Sequence, residues 1–293
     1  MYAVIGANGF LGNYIIKAIL SQTNDEILAT DINCPGSDKT GRIKWERSNI
    51  LNDDEFNNIV NYLQNFSDVK VIFLAAYHHP DLVAKNPELA WDINVTTLSK
   101  CINKLRFTSR LFYASTDSVY GNSIDQYHFK ETDCLNPVNI YGKNKAAAEA
   151  IVQYAGFTVV RYPFLIGPSL VNGKKHFYDQ IIQSLKNEEP VEMFCDSYRS
   201  SLDFNTAATL MIKLCELDGD LPSVVNVSGD KDLSKYDVGQ IIAQKLGAPE
   251  KLIVPIKLID RKDIFETPRA ESTLMDNSRL KNLLHLDSVH LSL

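Results

Sequence analysis

Two hydrophobic patterns alternate along the first half of the chain. Short, continuous apolar runs are typical of strands buried on both faces of a sheet, and they alternate with segments whose apolar residues recur at helical spacing. We predict strands at residues 2–5, 26–30, 69–75, 110–115 and 157–162, and helices at residues 11–21, 54–65 and 88–105. This alternation predicts an α/β fold, a Rossmann-type doubly wound parallel sheet with right-handed crossovers.

The second half of the chain is less regular. A predicted strand at 224–227 is followed by Ser234 as a helix N-cap, with Asp237 three residues later, and the helix is predicted to end at Gly247. No linker rich in Pro or Gly divides the chain. We therefore predict a domain at 1–163 and a smaller C-terminal domain at 164–293 that is interleaved with the first.

Composition and charge exclude several classes of protein. The 293 residues include 30 Lys and Arg and 36 Asp and Glu, for a formal net charge of −6, which argues against a general nucleic-acid partner. No apolar run approaches the roughly 18 residues of a membrane span, so no membrane partner is expected. The five cysteines are scattered without a CxxC pair, which predicts neither a disulfide framework nor a metal site. We expect a cytoplasmic protein.

A glycine-rich loop follows the first predicted strand and precedes a helix. Dinucleotide-binding sites have a strand, a glycine-rich loop and a helix in this order. In such a site Gly6 would allow the tight turn, Gly9 would let a pyrophosphate approach the backbone, and Gly12 would let the helix and strand pack closely. Asp31 ends the next strand, where a carboxylate would accept hydrogen bonds from ribose hydroxyls and repel a 2′-phosphate. The nearest following arginine is Arg42, so NAD is favoured over NADP. The alternatives are an incidental glycine turn and an aspartate that caps a loop.

A second group of residues predicts proton-transfer chemistry. Tyr141 and Lys145 are four residues apart and therefore share a helix face. A phenol with a reference pKa of about 10 is a poor base, and a neighbouring ammonium together with a positive nicotinamide would lower that pKa. The strand at 110–115 ends in hydroxyl residues, including Thr116, at the edge of the sheet where ligands bind. Asp117 would either assist as a general acid or fix its own loop.

These motifs together resemble the extended short-chain dehydrogenase/reductase family, which acts mostly on nucleotide sugars. The matching segments are GANGFLG at 6–12, FLAAY at 73–77, STDSVYG at 115–121, YGKNK at 141–145 and RYPFLIGP at 161–168. The resemblance implies that Thr116, Tyr141 and Lys145 form the catalytic triad. It also implies a cofactor site made by Gly6, Asn8, Gly9, Phe10, Leu11, Gly12, Asp31, Ile32, Asn49, Ile50, Leu74, Ala75, Ala76, Tyr77, Asn94, Tyr141, Lys145 and Pro163.

The C-terminal half is similar to the dTDP-4-dehydrorhamnose reductase branch of that family, in segments 195–204, 226–247 and 268–280. We expect Arg199 and Arg269 to clamp the diphosphate of a nucleotide-sugar substrate, because arginine forms paired hydrogen bonds with phosphate. The alternative is that each is a surface charge or pairs with a local acid. His78, which follows the cofactor-lining turn, would either face the substrate or lie in a polar loop over the cleft.

Four positions depart from the family's patterns. Ser118 stands where dehydratases have a glutamate, which argues against dehydration, and Phe164 stands where epimerases usually have an asparagine that contacts the substrate. Asn49 replaces the acid that usually binds adenine, and Ala270 replaces a proline common in the reductase branch.

The resemblance leaves three functions open. The first is NADH-dependent reduction of a nucleotide-linked 4-keto sugar. The second is 4-epimerisation, in which the same residues act first as base and then as acid. The third is a cofactor-binding regulatory subunit without turnover, similar to the reductase-like subunit of methionine adenosyltransferase. The family also implies a homodimer formed through helices near 90–105 and 145–155.

Overall fold

The structure is a computed structural model that describes residues 1–35, 40–260 and 265–293. Its strands are β1 (Tyr2–Ile5), β2 (Ile27–Asp31), β3 (Ile43–Arg47), β4 (Lys70–Phe73), β5 (Arg110–Thr116), β6 (His128–Phe129), β7 (Thr158–Tyr162), β8 (Leu165–Ile166), β9 (Val191–Phe194), β10 (Tyr198–Arg199), β11 (Leu202–Asp203), β12 (Val224–Asn226), β13 (Leu233–Ser234), β14 (Ile253–Ile256) and β15 (Leu274–Met275). Its α-helices are α1 (Phe10–Gln22), α2 (Asp53–Leu63), α3 (Pro80–Lys85), α4 (Pro87–Trp91), α5 (Leu98–Lys104), α6 (Ile140–Tyr154), α7 (Phe177–Lys186), α8 (Phe204–Cys215), α9 (Lys235–Leu246) and α10 (Ser278–Leu284).

Within the described residues, seven parallel strands form the central sheet in the order β12-β7-β5-β4-β1-β2-β3. The chain moves outward from β1 on one side through β2 and β3, and then crosses to β4 and beyond on the other. The carboxyl ends of β1 and β4 are neighbours at this reversal, which is where open α/β sheets bind their ligands. The predicted doubly wound fold is confirmed.

Helices cover both faces of this sheet because successive strand residues point to opposite sides. Val4 of β1 packs in a core with α1 and α8, whereas Ala3 packs in the opposite core with α2, α5 and α6. On the first face, the Tyr14 ring of α1 stacks on the Phe204 ring of α8, with centroids 5.4 Å apart. The last third of the chain therefore supplies both a strand and a covering helix to the sheet.

A smaller hydrophobic core joins α7, α9, β9 and β14, and it includes Ile181, Met193, Val238 and Ile253. The predicted cap of α9 is present. The Ser234 hydroxyl accepts a hydrogen bond from the backbone N–H of Asp237, whose carboxylate accepts one from the backbone N–H of Ser234. The helix is followed by a left-handed residue at Gly247. The domain boundary between residues 163 and 164 stays a prediction.

Two elements differ from the sequence-based expectation. The strand β3 was not among the predicted strands, because the sequence IKWER alternates apolar and charged residues and forms a half-exposed edge of the sheet. The predicted helix at 88–105 is interrupted by a π-helical segment, Asp92–Thr97. Segments of this kind are frequent at functional sites. Among the described residues, no helix is both long enough and apolar enough to cross a membrane.

Candidate active site

The glycine-rich loop makes a tight connection between β1 and α1. Gly6 has a φ of +86°, and a Cβ atom there would lie 2.7 Å from the backbone nitrogen of Ala75. A Cβ atom on Gly12 would collide with the carbonyl of Ala7. The N-cap of α1 is Gly9, which has no side chain to accept hydrogen bonds from the backbone N–H groups of the first turn. This arrangement suits an anion at the positive end of the helix.

Asp31 holds this loop in place. Its Oδ2 accepts a hydrogen bond from the Asn8 backbone nitrogen at 3.1 Å, and its Oδ1 accepts one from the Asn33 backbone nitrogen at 3.1 Å. The Asn8 side chain in turn donates to the Asn33 carbonyl at 2.8 Å. Asp31 therefore caps a loop, as one of the two alternatives held, and it also lines an adjoining cavity; its binding of a ribose stays a prediction.

That cavity, which we name the strand-end cavity, has a volume of about 390 Å³. Its walls include the predicted cofactor residues Gly6, Asp31, Ile32, Asn49, Ile50, Ala75, Ala76 and Tyr77. Asn49 is held by its turn: its backbone nitrogen donates to Glu55 at 2.7 Å and its Oδ1 accepts from the Leu51 backbone at 3.1 Å. Sequence reasoning missed the wall residues Thr30, Ser48, Leu51, Leu89 and Ile93.

The central cavity, of about 630 Å³, adjoins the strand-end cavity at Gly6 and Ala76. It brings the glycine loop and the predicted catalytic residues together. The predicted site residues on its walls are Gly6, Gly9, Phe10, Leu11, Gly12, Leu74, Ala76, His78, Thr116, Tyr141, Lys145 and Pro163. Residues distant in sequence, at the ends of β1, β4, β5 and β7 and at the start of α6, thus meet at one edge of the sheet.

Two predicted cofactor residues, Asn8 and Asn94, line neither of these cavities. Asn94 lies in the π-helical segment and is 2% exposed. Its Oδ1 accepts a hydrogen bond from the backbone nitrogen of Tyr77 at 2.8 Å, and its Nδ2 donates to the carbonyl of Tyr77 at 2.9 Å. Asn94 therefore fixes the turn after β4 that forms a wall of both cavities.

Tyr141 and Lys145 lie in the first turns of α6, which begins after an N-cap at Asn139 whose Oδ1 accepts from the Gly142 backbone at 2.9 Å. Lys145 is 3% exposed. Its Nζ donates to the Tyr113 hydroxyl at 2.7 Å and to the Ala114 carbonyl at 2.5 Å. Burial lowers the pKa of Lys145 to about 7.

The pKa of Tyr141 is raised in this structure, whereas a neighbouring ammonium and a nicotinamide were expected to lower it. Burial raises the pKa of its phenol, the nearby Asp117 carboxylate raises it further, and a hydrogen bond with Thr116 opposes these effects. The Lys145 ammonium does not reverse this shift, because it is directed at Tyr113 and Ala114 on β5. The Tyr141 phenol of this structure is therefore protonated at neutral pH.

A third cavity, which we name the cationic cavity, has a volume of about 270 Å³ and adjoins the central cavity at Thr116, Pro163 and Phe164. Its polar and charged wall residues are Thr116, Asp117, Ser118, Ser197, Arg199, Ser201, Lys235 and Arg269. The other walls are apolar and include the rings of Phe194 and Phe265, which are tilted by 35° with centroids 5.6 Å apart.

Arg199 is occupied by contacts within the protein. Its Nη1 donates to the carbonyls of Tyr198 at 2.7 Å and Glu271 at 3.0 Å, and its Nη2 donates to the carbonyl of Ala270 at 2.7 Å. Its Nε lies 3.4 Å from Oδ2 of Asp117, a residue that is 5% exposed. Burial raises the pKa of Asp117, and the Arg199 charge opposes this. Arg199 therefore pairs with an acid, but that acid, Asp117, is distant from it in the sequence.

Arg269 is also paired. Its Nη2 lies 2.9 Å from Oδ2 of Asp81 in α3, and its guanidinium carbon lies 5.1 Å from the centroid of Phe265. This ion pair ties the C-terminal segment to the loop and helix that follow β4. Within the described residues, no group of three or more His, Cys, Asp or Glu side chains is arranged to hold a metal.

Sequence reasoning missed a further set of cavity residues from the second half of the chain. Lys174, His176, Phe177 and Phe204 line the central cavity, and Lys235 lines the cationic cavity. The Lys174 Nζ lies 4.9 Å from the centroid of Phe10 in the glycine loop. No local pattern in the sequence marks these residues, because their neighbours in the site come from other elements.

Comparisons with known proteins agree with this geometry. The family model described as RmlD substrate binding domain matches residues 2–291. The methionine adenosyltransferase 2 subunit beta of Bos taurus is 25% identical over 289 residues, which are 96% of this chain and 81% of that protein. A hypothetical dTDP-4-dehydrorhamnose reductase from Sulfolobus tokodaii has a TM-score of 0.79 at 21% identity, covering 99% of this chain and 97% of that chain.

A UDP-glucuronic acid 4-epimerase from Bacillus cereus, solved with UDP-glucuronic acid and NAD, has a TM-score of 0.81 at 19% identity, covering 99% of this chain and 94% of that chain. At these identities the two solved structures establish the fold. The match of the family model over residues 2–291 goes further: the chain belongs to the RmlD substrate binding domain family, within the extended short-chain dehydrogenase/reductase family.

Proposed function

We propose that the protein is an NAD-dependent oxidoreductase that reduces the 4-keto group of a nucleotide-linked sugar. One observation carries this proposal: the glycine loop and the side chains of Thr116, Tyr141 and Lys145 line the same cavity. A cofactor held by the loop would therefore lie beside the groups that exchange protons with a substrate.

The residues present fit a nicotinamide dinucleotide, which when bound supplies the hydride. Gly6 leaves a space that a Cβ atom would fill, and the first turn of α1 has no side-chain cap at Gly9. These features suit a pyrophosphate. Asp31 places a negative charge on the wall of the strand-end cavity, where it would accept ribose hydrogen bonds and repel a 2′-phosphate. The proposal therefore prefers NAD to NADP.

The chain's own residues would hold and move the proton. The Tyr141 phenol, kept protonated by burial, would donate its proton to the oxygen of the sugar carbonyl. The Thr116 hydroxyl, which now bonds to Oδ1 of Asp117 at 3.0 Å, would hold that oxygen. Lys145 would fix the position of the cofactor ribose. Asp117, buried beside Thr116, would orient this hydroxyl.

The remainder of the substrate would occupy the cationic cavity. This cavity adjoins the catalytic residues at Thr116, and its walls combine aromatic rings with three cationic side chains, Arg199, Lys235 and Arg269. Apolar walls suit a nucleobase and cations suit a diphosphate. His78, on the wall of the central cavity, would face the sugar.

A second candidate is a cofactor-binding subunit without turnover. The Bos taurus relative is named as a subunit of methionine adenosyltransferase, and the alignment covers 96% of this chain. A third candidate is a 4-epimerase, the activity named for the Bacillus cereus structure. An epimerase would use the Tyr141 phenolate in its first step, whereas burial raises the pKa of this phenol.

The test is incubation of the purified protein with a panel of nucleotide sugars and 4-keto nucleotide sugars, each with NADH, NADPH or NAD, followed by mass spectrometry. A product heavier by two hydrogens, together with oxidation of NADH, is expected. A new sugar of unchanged mass would identify an epimerase, and the absence of any product with any pair would favour the binding subunit. The Tyr141→Phe variant serves as the matched inactive control.

A further inference from the structure

Lys235 is a cation of the cationic cavity that sequence reasoning did not identify. It is the first residue of α9, directly after the N-cap Ser234. Its side chain is half-buried and extends along the cavity wall, where its Nζ lies 5.1 Å from the centroid of Phe177 and 5.7 Å from that of Phe164. Aromatic faces stabilise an ammonium that has left water, but they leave its hydrogen-bond donors unused.

The charges around Lys235 do not balance within the part of the chain that the structure describes. Arg199 is paired with Asp117, and Arg269 is paired with Asp81. Lys235 lies among these groups without a carboxylate of its own in the described residues. Burial, and then the charges of the two neighbouring guanidinium groups, lower the pKa of Lys235 to about 8. The described residues that line this cavity therefore leave one positive charge without a counter-charge when Lys235 is protonated.

The position of Lys235 at the start of α9 makes its positive charge still less favourable. The first turn of an α-helix is the positive end of its dipole, where cations are disfavoured and acids are favoured. A lysine at this position, beside two arginines, does not contribute to the stability of α9. An anion bound in the cavity would remove the cost by supplying the missing negative charge.

The donors of Arg199 are already committed, and those of Arg269 are committed in part. Both terminal nitrogens of Arg199 donate to backbone carbonyls of residues 198, 270 and 271, and its Nε faces Asp117. Arg269 faces Asp81 through its Nη2. Phe164, which forms the wall between the cationic and central cavities, has no hydrogen-bond donor in its side chain. Among the described residues, Arg199 and Arg269 each face a carboxylate, whereas the Lys235 ammonium faces aromatic rings.

We propose that Lys235 binds the diphosphate of the nucleotide substrate, as a direct hydrogen-bond donor to a phosphate oxygen. This inference rests on the proposed function and assigns to Lys235 a direct contact of the kind that the sequence suggested for Arg199 and Arg269. Arg199 and Arg269 would then contribute mainly by their charge and by holding the walls. A compact ammonium suits this place because it can move toward the anion from a flexible stem.

The test uses UDP and dTDP as probes, with uridine and thymidine as the matching compounds without phosphate. Binding is measured by calorimetry in the presence of saturating NADH for four proteins: wild type, Lys235→Met, Lys235→Arg and Lys245→Met. Methionine retains the stem that packs on Phe164 and Phe177. Lys245 is an exposed lysine of the same helix, so its variant controls for the loss of one positive charge.

Lys235→Met is expected to weaken the binding of the diphosphates by about tenfold or more, because a hydrogen bond to a charged group is lost. Binding of the nucleosides and of NADH should not change, Lys235→Arg should restore most of the affinity, and Lys245→Met should resemble wild type. If Lys235→Met binds the diphosphates as tightly as wild type does, or if it loses nucleoside binding to the same extent as diphosphate binding, the inference about Lys235 is overturned. The proposed function is not affected by either result. Failure of wild type to bind either diphosphate would overturn the proposed function as well.

Discussion

The ammonium of Lys145 is held by Tyr113: its Nζ lies 2.7 Å from the phenolic oxygen and 4.0 Å from the centroid of the same ring. Because Tyr113 is on β5 and Lys145 is on α6, this contact joins the helix that carries Tyr141 to the strand that ends in Thr116. The three catalytic candidates are thus fixed relative to one another by a residue outside the predicted triad. Tyr113 is a positioning residue for the site.

The stability of the protein should depend on pH through Lys145. Its pKa is lowered to about 7 in the folded state, from an ordinary value of about 10.4 in an unfolded chain. Between these values the unfolded state binds more protons, so the free energy of unfolding should rise as pH increases from about 7 toward 10. Lys145→Met should flatten this slope, as measured by urea denaturation at several pH values.

The matched control for this measurement is Lys143→Met, because Lys143 is an exposed lysine on the same helix. It should retain the wild-type slope. Equal slopes for wild type and Lys145→Met would contradict the assignment of this pH dependence to Lys145.

Tyr141→Phe should abolish most turnover of the keto substrate. The substitution keeps the ring in place and removes the proton that the phenol would donate in the proposed reduction. General acid catalysis typically contributes about 100- to 10,000-fold, so kcat should fall within that range. The affinity for NADH, measured by fluorescence titration, should stay within about twofold of wild type. A variant with full turnover would remove Tyr141 from the mechanism.

Two substitutions of Asp31 should separate its charge from its hydrogen bonds. Asp31→Asn removes the charge, keeps one acceptor for the loop, and should narrow the preference for NADH over NADPH. Asp31→Ala also loses the bonds to the backbone nitrogens of Asn8 and Asn33, so it should in addition weaken the binding of both cofactors. Dissociation constants for the two cofactors check this. Equal binding of both by wild type would show that Asp31 does not select the cofactor.

Arg199→Met should destabilise the fold, because it leaves the Asp117 carboxylate buried without its cation. Breaking a buried ion pair costs about 3 kcal/mol or more of unfolding free energy. The double variant Arg199→Met, Asp117→Asn should recover part of this loss, since a neutral amide replaces the unpaired charge. Chemical denaturation of the two variants and wild type measures the difference. A single variant as stable as wild type would mean that the 3.4 Å contact contributes little.

The parts of the site that sequence predicted are those whose geometry is local. The glycine loop follows from three glycines between a strand and a helix, and the relation of Tyr141 to Lys145 follows from their spacing on α6. The pairing of Arg199 with Asp117 joins residues from different halves of the chain, and it depends on the fold bringing β10 near the residue that follows β5. The role of Lys235 was not predictable for the same reason. Its helix and cap follow from the local sequence, but the cavity that it lines is built by other elements.

The fold was predictable where the strands are buried on both faces. The central strands are continuous apolar runs, whereas the edge strand β3 presents alternate residues to solvent and lacks this pattern. The interruption of the helix near residue 94 was not predictable either, because the side chain of Asn94 bonds to the backbone of Tyr77 in the turn after β4. Such tertiary contacts override the local preference for a regular helix.

The placement of β12 at the end of the central sheet has a consequence for the synthesis of the protein. Until α8 has left the ribosome, the face of α1 that is turned away from the sheet lacks its partner, and until residue 226 has followed, β7 has an open edge. A nascent chain that ends near residue 163 therefore exposes a strand edge and a hydrophobic surface at the same time. A gene fragment that encodes the first half alone should yield aggregated protein, and coexpression of the second half should rescue it.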